Sequence, residues 1–222
     1  MNGVTQEQVV AGQAVYSPRT LSIYDWVVLG FSNRLVWRCP TWRLLEHYNQ
    51  HVTSNHLDVG VGTGYFLDCC QFLSADPRIG LMDLNANALA YAAERIARYR
   101  PETYRQNVLE TIEAEMPKFD SVGVNYLLHC LPGTMDTKGV VFDHLQAVMN
   151  PNGVLFGSTL LQGGVPRNFL AKRVMRYYNQ QGIFSNDKDD LDGVKKALGA
   201  RFAEVSVEVL GCAAVFVARG VR

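Results

Sequence analysis

The sequence predicts an α/β fold: a seven-stranded, mostly parallel sheet with helices on both faces, closed by an antiparallel hairpin. Three observations carry this. From residue 55 onward short apolar runs alternate with stretches of helical periodicity, the pattern of strand-helix-strand units. The first run ends in "LDVGVGTGYF", where three glycines at alternate positions follow an aspartate. Finally, "VSVEVLG" and "AAVFVARG" are separated by a link too short for a helical crossover, so they must pair antiparallel.

In chain order, aromatic residues crowd the segment from Tyr16 to Tyr48, and Pro18 and Pro40 interrupt it, which favours short helices over strands. Residues 1–50 are expected to form a helical cap or lid, and residues 51–222 the core. Strands are expected near 55–60, 78–83, 103–108, 119–126 and 153–160, before the two of the hairpin. Between the second and third, Leu89, Ala92, Ala93, Ile96 and Ala97 share one helical face, with Asn85 as cap. Between the fourth and fifth, Val141, Leu145 and Val148 do the same, and "NPNG" at 150–153 stops that helix. A further helix from about Pro166 to Gln181 is expected to turn Leu170, Val174 and Tyr177 inward, after a hinge at Gly163 and Gly164.

The 222 residues suffice for one well-buried domain. Twenty-one basic and twenty-one acidic residues cancel, so the chain lacks the electrostatic footprint of a non-specific nucleic-acid binder. Five cysteines show no CxxC pair and no metal-ligand spacing, and read as reduced thiols of a cytoplasmic protein that holds no metal. No apolar run approaches the roughly 20 residues that span a bilayer, and the N-terminus lacks a signal-peptide pattern. A small-molecule substrate is expected, without nucleic acid or stable membrane insertion; a homodimer is left open.

A strand that ends in Asp58 and turns through Gly60, Gly62 and Gly64 presents bare backbone at the carboxyl edge of the sheet, where ligands bind in such folds. Asp83 ends the next strand about twenty residues on, placed to accept the hydrogen bonds of a ribose diol. The bland readings are a tight strand-helix turn for the glycines and a helix-capping turn for Asp83. NAD and S-adenosylmethionine both satisfy the two elements, and the spacing separates them. A dinucleotide loop wants G-x-G-x-x-G, whereas here the third glycine arrives one residue early, with Tyr65 where it is wanted. The acid two residues before Gly60 would repel a pyrophosphate and suit the ammonium of a methionine moiety.

With these residues the sequence resembles the class I S-adenosylmethionine-dependent methyltransferases of the small-molecule type, over nearly its whole length. "LDVGVGTG", "GLMDLNANAL", "QNVLE", "FDSVGVNYLLHCLPG", "NPNGVLFGSTLL" and "SVEVLGCAAVFVARG" match that family's motifs in order. "YDWVVLGFSNRLVWR" is loosely similar to the matching region of ubiquinone and menaquinone biosynthesis methyltransferases. The resemblance implies a Rossmann-like core and S-adenosyl-L-methionine as cofactor. It implies that Asp58, Gly60, Gly62 and Gly64 hold the methionine and ribose end, Asp83 takes the ribose hydroxyls and Leu84 packs on adenine. Asn107, where many relatives carry an aspartate, and Val108 would meet the adenine edge, and Asn125 and Tyr126 would floor the site near the sulfonium. Tyr24 and Trp37 are assigned to the cofactor as part of an aromatic lid, whereas Tyr16, Trp26 and Trp42 are expected to pack.

Methyl transfer relies on proximity and orientation, because the cofactor carries the activation, so a general base is optional. His129 is the candidate base; the bland reading is a histidine packed against loop backbone. Cys130 is expected to be inert. The segment after the fifth strand would hold the acceptor, with Phe169, Tyr177, Tyr178 and Phe184 shaping an apolar pocket beside Arg167, Lys172, Arg173 and Arg176. The expected function is methyl transfer to oxygen, nitrogen or activated carbon of a secondary metabolite or quinone-like acceptor. The alternatives are a chain that binds the cofactor without transferring methyl, as regulator or as cyclisation or rearrangement catalyst, and an NAD-dependent oxidoreductase.

Overall fold

A computed structural model of the chain describes residues 25–112 and 115–222. It opens with a π-helical segment, Asp25–Val36, followed by α1 (Thr41–His51). Then come β1 (Asn55–Val59), α2 (Tyr65–Cys69), β2 (Arg78–Asp83), α3 (Ala86–Arg95), β3 (Glu102–Arg105) and β4 (Phe119–Asn125). After a 3-10 turn at Leu128–Cys130 follow α4 (Met135–Lys138), α5 (Val140–Ala147), β5 (Met149–Leu160), α6 (Phe169–Gln180), α7 (Leu191–Gly199), β6 (Phe202–Leu210) and β7 (Ala213–Val221).

The seven strands lie in the order β3-β2-β1-β4-β5-β7-β6, with β7 antiparallel to both of its neighbours and every other pairing parallel. The central strands are buried along almost their whole length because both faces are covered. On β5, Leu155 joins one core cluster with Phe142, Leu145, Val194 and Leu198, while Phe156 joins another with Tyr48, Leu67, Leu89 and Ala92. Asn85 caps α3 as expected, its side chain accepting from the amides of Asn87 and Ala88. The order reverses direction at β1 and β4, and the carboxyl ends of these strands open the crevice in which such sheets bind ligands.

Several expectations are corrected. The third strand ends at Arg105, leaving Asn107 and Val108 in the following loop. "NPNG" belongs to the start of β5, where the pairing jumps from Phe119 with Met149 to Ser121 with Val154. Helix α6 buries Ala171 and Met175, whereas Leu170 and Tyr177 face outward. Gly163 and Gly164 are no hinge: Gly163 bridges to Asp190, and a Cβ at either glycine would come within 2.7 Å of that neighbouring segment. Thr41–His51, on the cap side of the expected boundary, packs Leu44 and Tyr48 into the core.

Candidate active site

A groove runs along the carboxyl edge of β1, β2 and β4 in two halves that meet at Gly60 and Tyr126. One half is lined by Asp83, Leu84, Asn107 and Val108, with Gln106 and Leu127. The other is lined by Asp58, Gly62, Tyr65, Phe66 and Asn125, and by Leu29 of the π-helical segment. Nearly every residue expected from the two strand ends is therefore brought to one edge.

The three glycines stand there for different reasons. At Gly62 φ is +52° and an added Cβ would meet nothing within 4 Å, so the loop presents bare backbone to open space. At Gly60 a Cβ would press on Leu127 at 2.9 Å. At Gly64 it would meet Ala92 of α3 at 3.1 Å, and Gly64 is not among the lining residues. The expectation that Gly64 holds the ligand is thus corrected: its missing side chain lets α3 dock beneath the loop.

Asp83 is directed back at that loop. Its carboxylate accepts from the Asn85 amide at 2.8 Å and is further held by the amides of Val61 and Gly62. Burial outweighs these donors, and with the charge of Asp58 it lifts the carboxyl from 3.8 to about 6. Asp58 is buried and accepts from the Tyr48 hydroxyl at 3.0 Å. On the floor, Asn125 Oδ1 accepts from Ser158, while its Nδ2 is buried without a partner among the described residues. Tyr126 has φ +55° and donates its hydroxyl proton to Asn33 at 3.0 Å.

Asn107 lines the groove, but its side chain is engaged in a turn, Oδ1 accepting from the Leu109 amide at 3.1 Å and Nδ2 donating to Glu110 at 3.0 Å. Gln106, Leu127 and Leu29 were not expected. Leu127 was legible in principle, since Gly60 implies a close neighbour.

Two expected contacts, Trp37 and His129, do not reach the groove. Trp37 is buried in a cluster with Leu44, Leu160, Met175 and Phe184, which covers the sheet where β5 ends and β7 begins. Trp42 is exposed, and Tyr16, Tyr24 and the side chain of Trp26 lie outside the described residues. His129 is buried: Nδ1 accepts from the Leu160 amide at 3.3 Å, and the ring packs edge-on against Phe184, with centroids 4.5 Å apart. Burial and the Lys138 charge push its pKa down to about 3. It is a packing histidine, a poor proton acceptor that faces protein. Burial likewise lifts the Cys130 thiol to about 12, so it is no nucleophile. Of the acceptor-side aromatics, Phe169 and Tyr177 are exposed, and Tyr178 packs on Phe184.

The open cradle at Gly62, the carboxylates at the two strand ends and the unpartnered Asn125 Nδ2 fit a polar, adenosine-bearing ligand with an amino-acid arm. The sheet order and the closing hairpin define the fold of class I methyltransferases. The chain belongs to the class I S-adenosylmethionine-dependent methyltransferases of the small-molecule type.

A methyltransferase domain model matches residues 57–155. The chain is 41% identical over 210 residues to demethylluteothin O-methyltransferase of Streptomyces thioluteus, covering 95% of this chain and 91% of that protein. It is also 41% identical over 207 residues to the physcion biosynthesis cluster O-methyltransferase of Aspergillus chevalieri, covering 92% and 93%. Among solved structures it matches DhpI in complex with S-adenosylhomocysteine, with a TM-score of 0.70 at 17% identity over 98% of both chains. These relatives and the loop spacing set aside the oxidoreductase alternative. Among the described residues no helix is long and apolar enough to cross a membrane.

Proposed function

We propose that this methyltransferase transfers the methyl group of S-adenosylmethionine to a hydroxyl oxygen of a small secondary metabolite. The observation that carries the reading is the two-part groove joined at Gly60 and Tyr126, which separates an adenosine side from a methionine side. The choice of oxygen rests on relatives named O-methyltransferases, the two given above among them.

When bound, the cofactor supplies a methyl group activated by its sulfonium, and the protein's task is to orient and desolvate. Asp83 accepts the ribose hydroxyls in its ionised form. Leu84 and Val108 would offer apolar surface to the base, and the loop around Gln106 and Asn107 would meet its edge. Gly60 and Gly62 let the main chain approach. Asp58 receives the ammonium, and Asn125 Nδ2 donates to an oxygen of the ligand and so loses its orphan status. Tyr126 floors the junction where the methyl would be passed. His129, buried and held as an acceptor by Leu160, takes no proton from the substrate.

The test is transfer of isotopically labelled methyl from S-adenosylmethionine to hydroxylated metabolite extracts, with products identified by mass spectrometry. Methyl ethers are expected. Label on nitrogen or carbon would refute oxygen as the acceptor, and a folded chain that binds S-adenosylhomocysteine yet transfers nothing would refute the enzyme reading in favour of a cofactor-binding regulator.

A further inference from the structure

The groove shows one face of Asp58; its other face is held by a polar chain that reaches through the core. The β1-β4 pairing sets His56 opposite Ser121 and Asp58 opposite Gly123. His56 and Asp58 alternate along β1 and so share a face, and α1 lays Tyr48 against it. Tyr48 donates its one hydroxyl proton to Asp58 at 3.0 Å, so its oxygen accepts from His56 Nε2 at 2.8 Å. His56 Nδ1 in turn lies 2.8 Å from Ser121 Oγ, which also accepts from the Thr53 amide at 2.9 Å.

Tyr48, His56 and Ser121 are fully buried. Phe66 stacks on the Tyr48 ring at 5.5 Å, and Phe156 meets it edge-on at 5.1 Å. The strand next door is shaped around the chain: a Cβ at Gly123 would stand 3.0 Å from Asp58 Oδ1 and 3.2 Å from His56 Cε1. Burying three polar side chains costs free energy that apolar residues of the same size would not, unless every donor and acceptor is matched. Here the matching ends on the one member that lines the groove.

We propose that Tyr48, His56 and Ser121 are positioning residues for cofactor binding, which fix one oxygen of the Asp58 carboxylate and leave the other to accept the ammonium of the methionine arm. The inference rests on the reading of Asp58 given above and deepens it. Burial and the Asp58 charge keep the Tyr48 hydroxyl protonated, as a donor must be.

The experiment is calorimetry with two ligands, S-adenosylhomocysteine and 5′-methylthioadenosine, the second lacking the ammonium and carboxylate. Tyr48→Phe should weaken S-adenosylhomocysteine about tenfold and leave methylthioadenosine within about twofold, because a hydrogen bond to a charged group is lost on one side only. Asp58→Asn should show the same selectivity, and adding Tyr48→Phe to it should cost nothing more. Ser121→Ala, at the far end of the chain, should cost S-adenosylhomocysteine about threefold and serves if Tyr48→Phe does not fold. Asp58→Asn weakening S-adenosylhomocysteine while both relay variants bind it normally would overturn the relay and leave the role of Asp58 standing. Normal binding by Asp58→Asn would overturn that role itself. Equal losses for both ligands in Tyr48→Phe and Ser121→Ala would reduce the chain to a structural feature and overturn the proposal.

Discussion

Replacing Asp83 with Asn should stabilise the cofactor-free chain at pH 8 while weakening its hold on S-adenosylhomocysteine. The carboxyl is lifted from 3.8 to about 6, first by burial and then, against three amide donors, by the Asp58 charge. An acid whose folded pKa lies above its unfolded value keeps its proton longer in the folded state. Between pH 3.8 and about 6 the folded chain therefore binds more protons than the unfolded chain, and stability falls as pH rises through that window. A difference of about two pH units sets a ceiling of about 3 kcal/mol at 1.36 kcal/mol per unit. Solvent reaching the groove, and the weaker acceptor that Asn offers to the amides of Val61, Gly62 and Asn85, reduce the expected gain to about 1–2 kcal/mol. Urea unfolding at pH 8 should show that gain, and it should vanish below pH 4. Calorimetry should show an affinity for S-adenosylhomocysteine lower by about tenfold to a hundredfold, the worth of hydrogen bonds to a charged acceptor. An Asp83→Asn chain less stable than the parent at pH 8 would refute the reasoning, since the carboxylate would then support the fold it is argued to strain.

Lys138 and Asp189 form a fully buried ion pair at 2.6 Å that ties the loop after α6 to α4. Lys138→Met leaves Asp189 charged and unpaired and should cost about 3–5 kcal/mol in urea unfolding, with much of it regained when Asp189→Leu is added. Gly64→Ala, at φ +71° and 3.1 Å from the Ala92 Cβ, should cost about 1–3 kcal/mol of stability. Gly62→Ala meets only open space, so its effect beyond about 1 kcal/mol of backbone strain should appear as lost cofactor affinity. His129→Gln should lower the thermal midpoint and leave the pH dependence of methyl transfer between pH 6 and 9 unmoved; a lost basic limb would restore the imidazole as the base.

The strand ends that build the groove were legible because two local signals agree there. β1 and β2 are short runs buried along almost their whole length, as strands covered on both faces are, and each carries a carboxylate at or next to its end, before turn residues. β3 is an edge strand whose residues are largely exposed, so no burial pattern marks its end, and the sequence pattern carries the expected strand three residues past Arg105. Helix α6 carries apolar residues on two faces, and its sequence alone does not say which face the sheet takes. Of the two readings of His129 the sequence cannot choose the packed one, because its neighbours Leu160 and Phe184 come from distant segments. The Tyr48-His56-Ser121 chain is invisible for the same reason, since the β1-β4 register aligns His56 with Ser121 and only the docking of α1 adds Tyr48.

That register also explains why the site has a fixed floor. β4 delivers Asn125 and Tyr126 in succession, one with an open donor and the other in a left-handed conformation that costs a non-glycine residue about 1 kcal/mol or more. The conformation is held from outside the sheet. Tyr126 donates to Asn33, which is itself fully buried and donates to Thr41 at 2.9 Å. Asn33 belongs to the same π-helical segment that contributes Leu29 to the methionine side of the groove. The N-terminal segment thus touches the site twice, once through the wall at Leu29 and once through the floor at Tyr126.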